Sequence, residues 1–301
     1  MGFFLQQLMN GLILGSFYAL VALGYTMVFG VLKLLNFAHG DIYMVGGFVG
    51  LLILKLGSSW FGSGWLGVVV AMFCSAALVG ALGMIIERVA YRPLRHAPRL
   101  SVLITALAAS MVLNSAVLAL TGGRPVAFPA DLGFVGYDLG PVHISVIQMA
   151  LLVSTLILML ALERFVSRTQ YGRAMRAVSY DMVASRLMGI DVNQIVSLTF
   201  FLGSALAAIG GVFAGTYYGS LHFFMGFIMG LKAFTAAVIG GIGSIPGAML
   251  GGLALGLLET FGSSIPFIGS EWRDVVVFGA LIFFLVLKPT GILGQTMVER
   301  V

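Results

Sequence analysis

Two short stretches of this 301-residue chain hold the residues best suited to recognising a solute. Between Asn36 and Asp41, the run NFAHGD sets an amide, an imidazole and a carboxylate around a glycine. Asn36 or Asp41 suits the cap of a following helix. Equally, Asn36, Ala38, His39 and Asp41 suit the inner mouth of a pathway, because ionisable groups within apolar segments mark substrate or ion routes. No second His or Cys is spaced to complete a zinc site, so no metal is expected. The second stretch is GGIGSIPGA, Gly240 to Ala248, where glycine density and Pro246 must break a helix. Helices broken at membrane depth usually line a cavity, which makes Gly241, Ser244 and Pro246 further pathway candidates.

Catalytic signals are missing. There is no G-x-x-x-x-G-K-[ST] to cradle a nucleotide, and neither H-E-x-x-H nor G-x-S-x-G occurs. No catalytic residue and no cofactor is assigned. Lys33, Asp41, Lys55, Lys232 and Glu259 are the ionisable groups near apolar segments, and most fall near segment ends. A proton- or sodium-driven carrier would keep a chain of such groups at the midplane. The pattern therefore predicts a pore without paired charges, driven from elsewhere.

The elements that must position these residues are membrane helices. Sixty per cent of residues are hydrophobic and 9% charged, with a mean hydropathy of +1.08, too little charge for a water-facing surface. The fold class is all-α, a polytopic integral membrane protein of eight to nine transmembrane helices, some short or broken. Expected segments are Leu5–Phe29, Asn36–Leu56, Trp65–Glu87, Ser101–Thr121, Val142–Glu163, Ile195–Tyr217, Gly226–Ile239, Pro246–Thr260 and Trp272–Leu287. The last but two and last but one are short, and 226–246 could be re-entrant. The first segment reads as a retained helix, since no basic residue precedes it. Gly-x-x-x-Gly spacings at 211, 215 and 219, at 243, 247 and 251, and at 226 and 230 predict close helix packing. Cys74 lies in an apolar run and is expected as a packed thiol.

Charge placement sets orientation. Arg88, Arg92, Arg95 and Arg99 form one cluster; Arg164, Arg168, Arg173, Arg176 and Arg186 form another. Such loops stay cytoplasmic, which places the N-terminus outside. With nine crossings the tail carrying Lys288 and Arg300 is inside. Both clusters are too short and too closely flanked by spans to bind nucleic acid. Lys232 then begins a segment on the outer side, as a lysine snorkelling to the interface or as a contact for a passing carboxylate.

The segment YGRAMRAVSYDMVASRLMGID, Tyr171 to Asp191, lies between two spans and mixes arginines with small residues. Helical spacing puts Ala177, Ala184 and Met188 near one face, with Gly189 ending the helix. Small residues permit close docking of another protein, which Arg173, Arg176 and Arg186 can meet at acidic groups. A helix lying on lipid would carry Trp, Phe and Leu instead.

VASRLMG, Val183 to Gly189, resembles the E-A-A-x-x-x-G coupling helix of ABC importer permeases. Ala184, Ser185 and Gly189 take the A-A…G places, Val183 stands where the Glu would be, and the later Pro is absent. Together with LNFAHGDIYMVGG, IERVAYRPLR, GRAMRA followed by GID, and KAFTAAVIGGIGSIPGAMLGG, the chain resembles the branched-chain amino-acid ABC permease family over essentially its whole length, most closely its LivH-type members. The resemblance implies one permease domain over 1–301, with 164–195 as the cytoplasmic coupling loop contacting the ATPase through Arg173, Arg176, Ala177, Asp181, Ala184, Ser185 and Gly189. It implies a bacterial inner-membrane importer subunit, itself no enzyme, surrounded by lipid. Its implied partners are a second, LivM-like permease, two ATP-binding subunits and a periplasmic amino-acid-binding protein. Cargo is expected to be leucine, isoleucine or valine. Urea and short-chain amides are carried by similar permeases, and an ATP-independent channel or carrier is the alternative from another class.

Overall fold

The computed structural model of the chain describes residues 2–95, 97–132, 136–140, 142–264, 269–288 and 290–294. Helices occupy the apolar runs: α1 (Gly2–Leu32), α2 (His39–Phe61), α3 (Trp65–Ile86), α4 (Arg99–Thr121) and α5 (Val146–Arg168). After α5 come two short helices, α6 (Gln170–Tyr180) and α7 (Met182–Leu187), then α8 (Val192–Tyr218), α9 (Met225–Gly240), α10 (Ile245–Ser263) and α11 (Arg273–Leu287). Beyond Ile86 the third helix runs on through a π-helical turn, Glu87–Tyr91, and a tighter 3-10 turn, Arg92–Leu94. Two small antiparallel ribbons complete the described fold. β1 (Val126–Ala127) pairs with β4 (Ser220–Leu221), and β2 (Gly136–Leu139) with β3 (Val142–Ser145).

Among the described residues, seven helices are long and apolar enough to cross a membrane. The expected α9 and α11 are real but short, at 16 and 15 residues against the ~20 needed for a straight crossing. Val142 to Ser145 is a strand, not the start of a span. Ser145 then caps α5, accepting from the Gln148 N–H while the Gln148 side chain accepts from the Ser145 N–H. That capping box explains why the helix starts there.

Burial sorts the helices. The apolar windows of α1 and α8 are 83% and 72% buried, against 22% and 17% in α4 and α5, so α1 and α8 form the core and the other two face outward. Gly15 meets Leu253, Ala19 meets Gly252 and Gly30 faces Gly243, which sets α10 antiparallel to α1 at close range. Cys74 is exposed on the outer face of α3, not packed inside. An apolar surface that meets lipid accommodates a thiol as readily as a core does.

Both arginine clusters share one face. Arg95 donates to Asn193 at 2.7 Å and Arg92 to Ser197 at 2.9 Å, both in the first turns of α8, which follows the α6–α7 loop. The segment Thr290–Gly294 lies on that side too, where the Ile292 and Leu293 N–H groups donate to the Ile239 and Gly240 carbonyls at the end of α9. Seven long and two short helices, alternating in direction, thus leave Gly2 and the Thr290–Gly294 segment on opposite faces. Arg300 lies outside the described residues.

Candidate functional site

The break before α2 lies within the bundle. α1 ends at Leu32, Lys33 turns with a left-handed φ of 57°, and α2 begins only at His39. Ala38 holds the cap position and no side chain caps the helix, so neither Asn36 nor Asp41 plays that part. Asn36 Oδ1 instead accepts from the Tyr91 hydroxyl at 2.6 Å, and Asp41 Oδ2 accepts from Ser110. The His39 ring packs edge-on to Tyr25 and against Gly24, which in turn faces Gly203. Gly203 is eleven residues into α8 from Val192, about 16 Å at 1.5 Å per residue. The polar group is therefore well inside the membrane-facing bundle.

Asn36, Ala38, His39 and Asp41 are all buried. Yet among the described residues Asn36 Nδ2, both His39 nitrogens and Asp41 Oδ1 make no hydrogen bond of good geometry, although the Val21 backbone lies near His39 and the Asn114 side chain near Asp41. Leaving such a group unpartnered costs about 1–3 kcal/mol each, so these atoms concentrate unused hydrogen-bonding capacity at one helix start. Gly40 lets α9 approach here: a side chain at Gly40 would strike the Gly226 carbonyl and the Gly230 backbone.

The second break follows the expected residues. α9 stops at Gly240, Gly241 and Gly243 take φ of 106° and 96°, and Pro246 sits in the first turn of α10. The Ser244 side chain caps α10 by accepting from the Gly247 N–H at 3.2 Å. This joint is closed. Gly241 is buried against the backbone of Leu293 and Gly294, while Ser244 and Pro246 are half-buried.

Lys232 departs from expectation. It neither snorkels nor stands free: it is 6% exposed, with Nζ 2.8 Å from both Glu259 and Asp274. Tyr18 donates to the other Glu259 oxygen, and Arg273 lies 3.5 Å from that carboxylate. The bundle thus does hold paired charges, contrary to the pattern read from segment ends. Lys232 and Glu259 are 27 residues apart on different helices, and only packing joins them.

The Tyr171–Asp191 segment is an elbow, not one helix. Asp181 interrupts it with an extended backbone and caps α7, accepting from the Val183 and Ala184 N–H groups at 2.7 and 2.9 Å. Gly189, with a φ of 81°, follows the end of α7 as expected. Gly172, Met175 and Val178 turn inward, with Ala177 half-buried; Arg173, Arg176 and Ala184 point outward. Ser185 is buried and donates to the Asp181 carbonyl, so it braces the elbow internally. Tyr180, Val183, Leu187 and Met188 are each more than two-thirds exposed, so the outer apolar face of the elbow is bulky and not the small-residue face that one continuous helix would present, because the bend at Asp181 resets the spacing.

One cluster had no signal in the spacing of the sequence. Glu87 is fully buried and is met by Arg92 at 3.0 Å, by Arg95, and by Ser197 at 2.7 Å. Burial lowers the pKa of Arg95, with the Glu87 carboxylate opposing the shift. The network ties the end of α3 to the start of α8, directly after the elbow.

A polytopic bundle with a broken, polar-lined helix inside and an exposed elbow on its arginine-rich face is a membrane permease. Residues 7–286 match the family described as the branched-chain amino acid transport system / permease component, and the chain belongs to it. It is 46% identical over 303 residues to the high-affinity branched-chain amino acid transport system permease protein BraD of Pseudomonas aeruginosa, covering 99% of this chain and 98% of that one. It is 44% identical to the LivH protein of the same description from Escherichia coli strain K12, with the same coverage. A probable LivH of Methanocaldococcus jannaschii is 27% identical over 95% of this chain and 91% of its own length.

Proposed function

We propose that the chain is the permease subunit of an ABC importer in the bacterial inner membrane, and that its cargo is leucine, isoleucine and valine. Residues 1–301 form one permease domain, with 164–195 as its cytoplasmic coupling loop. A second, LivM-like permease completes the pathway, two ATP-binding subunits hydrolyse ATP, and a periplasmic protein delivers the amino acid. The observation that carries this reading is the α6–α7 elbow: an apolar tip of Tyr180, Val183, Leu187 and Met188, flanked by the outward Arg173 and Arg176. Exposed apolar side chains beside cations on a water-facing loop suit an apolar groove with an acidic rim. The network at Glu87 braces the start of α8, so displacement of the elbow is passed to a core helix and not absorbed in a loose loop.

The cargo follows from the names of BraD and LivH together with near full-length similarity. Inside the bundle, Asn36, His39 and Asp41 offer polar groups that a zwitterion can touch briefly among otherwise apolar neighbours. A pathway that binds weakly releases quickly. The test is uptake by the reconstituted complex, supplied with its binding protein and ATP, using labelled leucine, urea and acetamide in turn. Leucine is expected to accumulate only with ATP, and urea and acetamide to stay at background. Urea or acetamide accumulating in place of leucine contradicts the cargo, and leucine entry independent of ATP contradicts the class.

A further inference from the structure

Glu87 and Tyr91 stand at the two ends of the single π-helical turn that follows α3. The Arg92 N–H closes this turn by donating to the Glu87 carbonyl, five residues back. Such wide turns hold one residue more than α geometry and are frequent at functional sites. Both side chains are fully buried, and each reaches a different part of the bundle. Glu87 is held by Arg92, Arg95 and Ser197, the last of these on α8. Arg95 also donates to Asn193 at the head of α8, and Arg186 of the elbow lies near enough for its charge to act on Arg95. At the other end, the Tyr91 hydroxyl donates to Asn36 Oδ1 at 2.6 Å, while its ring packs on Phe200 of α8 with centroids 5.2 Å apart. A series of polar contacts therefore runs from the head of α8, directly after the elbow, through this turn to the broken start of α2.

Packing alone does not call for such a series. A phenylalanine at position 91 would fill the same space, whereas a buried hydroxyl costs stability unless it is given an acceptor. Here the acceptor is Asn36, in the segment that leads into α2. We propose that the Glu87–Tyr91 turn relays movement of the elbow to the solute path, and that Tyr91 is the positioning residue that ties Asn36 to it. The proposal deepens the reading above and rests on it, since it takes the elbow to meet the ATPase and Asn36 to border the path. An α-helix turns by about 100° per residue. A wide turn that gives up its extra residue as α8 shifts therefore swings Tyr91 around the helix axis, and Asn36 with it. A plain α-helix at this place could only tilt as a rod.

The test uses proteoliposomes of the complete transporter with its binding protein, and reads the ATP hydrolysed per labelled leucine taken up. Tyr91→Phe deletes one hydroxyl and keeps the ring against Phe200. It should hydrolyse ATP near the wild-type rate and take up leucine severalfold more slowly, so that the ratio rises severalfold. A residue that only supports the fold would lower both rates together. Asn36→Ala removes the acceptor, and adding Tyr91→Phe to it should raise the ratio no further, because residues that act through one contact are not additive. Ser197→Ala loosens the other end of the series and should raise the ratio as well. Should Tyr91→Phe fail to assemble, Ser197→Ala decides alone, and a wild-type ratio there overturns the proposal. A wild-type ratio in Tyr91→Phe, or a further severalfold rise on adding it to Asn36→Ala, overturns it too. Absence of ATP-dependent uptake by the wild type instead overturns the importer reading beneath it.

Discussion

Lys232, Glu259 and Asp274 meet where α9, α10 and α11 converge, and each charge has an opposite charge beside it. Around the start of α2, Asn36, His39 and Asp41 are as deeply buried, yet among the described residues four of their polar atoms make no hydrogen bond of good geometry. Inside a membrane an unmatched polar group is not tolerated for packing alone. The first cluster closes helices onto one another, whereas the second keeps unused hydrogen-bonding capacity, which we propose serves a passing solute. On that proposal the pathway lies at the broken start of α2 and not at Lys232.

The largest expected effect comes from breaking the closed cluster. Lys232→Met leaves Glu259 buried with an uncompensated charge, a loss of about 3–5 kcal/mol, toward the lower end because Arg273 stands nearby. In a detergent melting assay the permease should unfold at a clearly lower temperature. Adding Glu259→Gln to that variant should recover much of the loss, because it removes the stranded charge. A Lys232→Met protein as stable as the wild type would mean that the cluster is not a structural clasp.

This clasp was also the feature least legible in the sequence. Apolar runs revealed the long helices, and glycine with proline revealed the joint at Gly240–Pro246, because both signals are local. Gly189 was legible as a helix end for the same reason. Lys232 and Glu259 looked like separate residues near segment ends, since their pairing depends on how α9 packs on α10. Asp181 was ambiguous as well: an aspartate on an exposed helical face and one capping a new helix look alike in a chain rich in alanine. At the start of α2, the residue types left two roles open, helix cap or pathway lining, and the geometry removes the first. Neither Asn36 nor Asp41 caps the helix; each instead meets a hydroxyl from a distant helix, Tyr91 or Ser110.

Asp41→Asn probes the open cluster and should cost far less stability. An amide oxygen can still accept from Ser110, and the lost charge had no ionic partner among the described residues, so the change is expected within about 1 kcal/mol. Uptake should nonetheless fall severalfold in the assembled complex. Equal melting shifts for Asp41→Asn and Lys232→Met, with unchanged uptake in the former, would erase the distinction between the clusters.

Ala184→Trp should affect stability least, because Ala184 points outward from the elbow. It is also the most direct probe of the claim that this permease is driven through α6 and α7. The deciding measurement is ATP-dependent leucine uptake by proteoliposomes of the complete transporter, made with wild-type or Ala184→Trp permease at matched protein level. Wild-type vesicles should accumulate leucine, whereas the variant should pair with the second permease, fail to retain the ATP-binding subunits and show no uptake above background. Full uptake and normal retention of those subunits by Ala184→Trp would contradict the account.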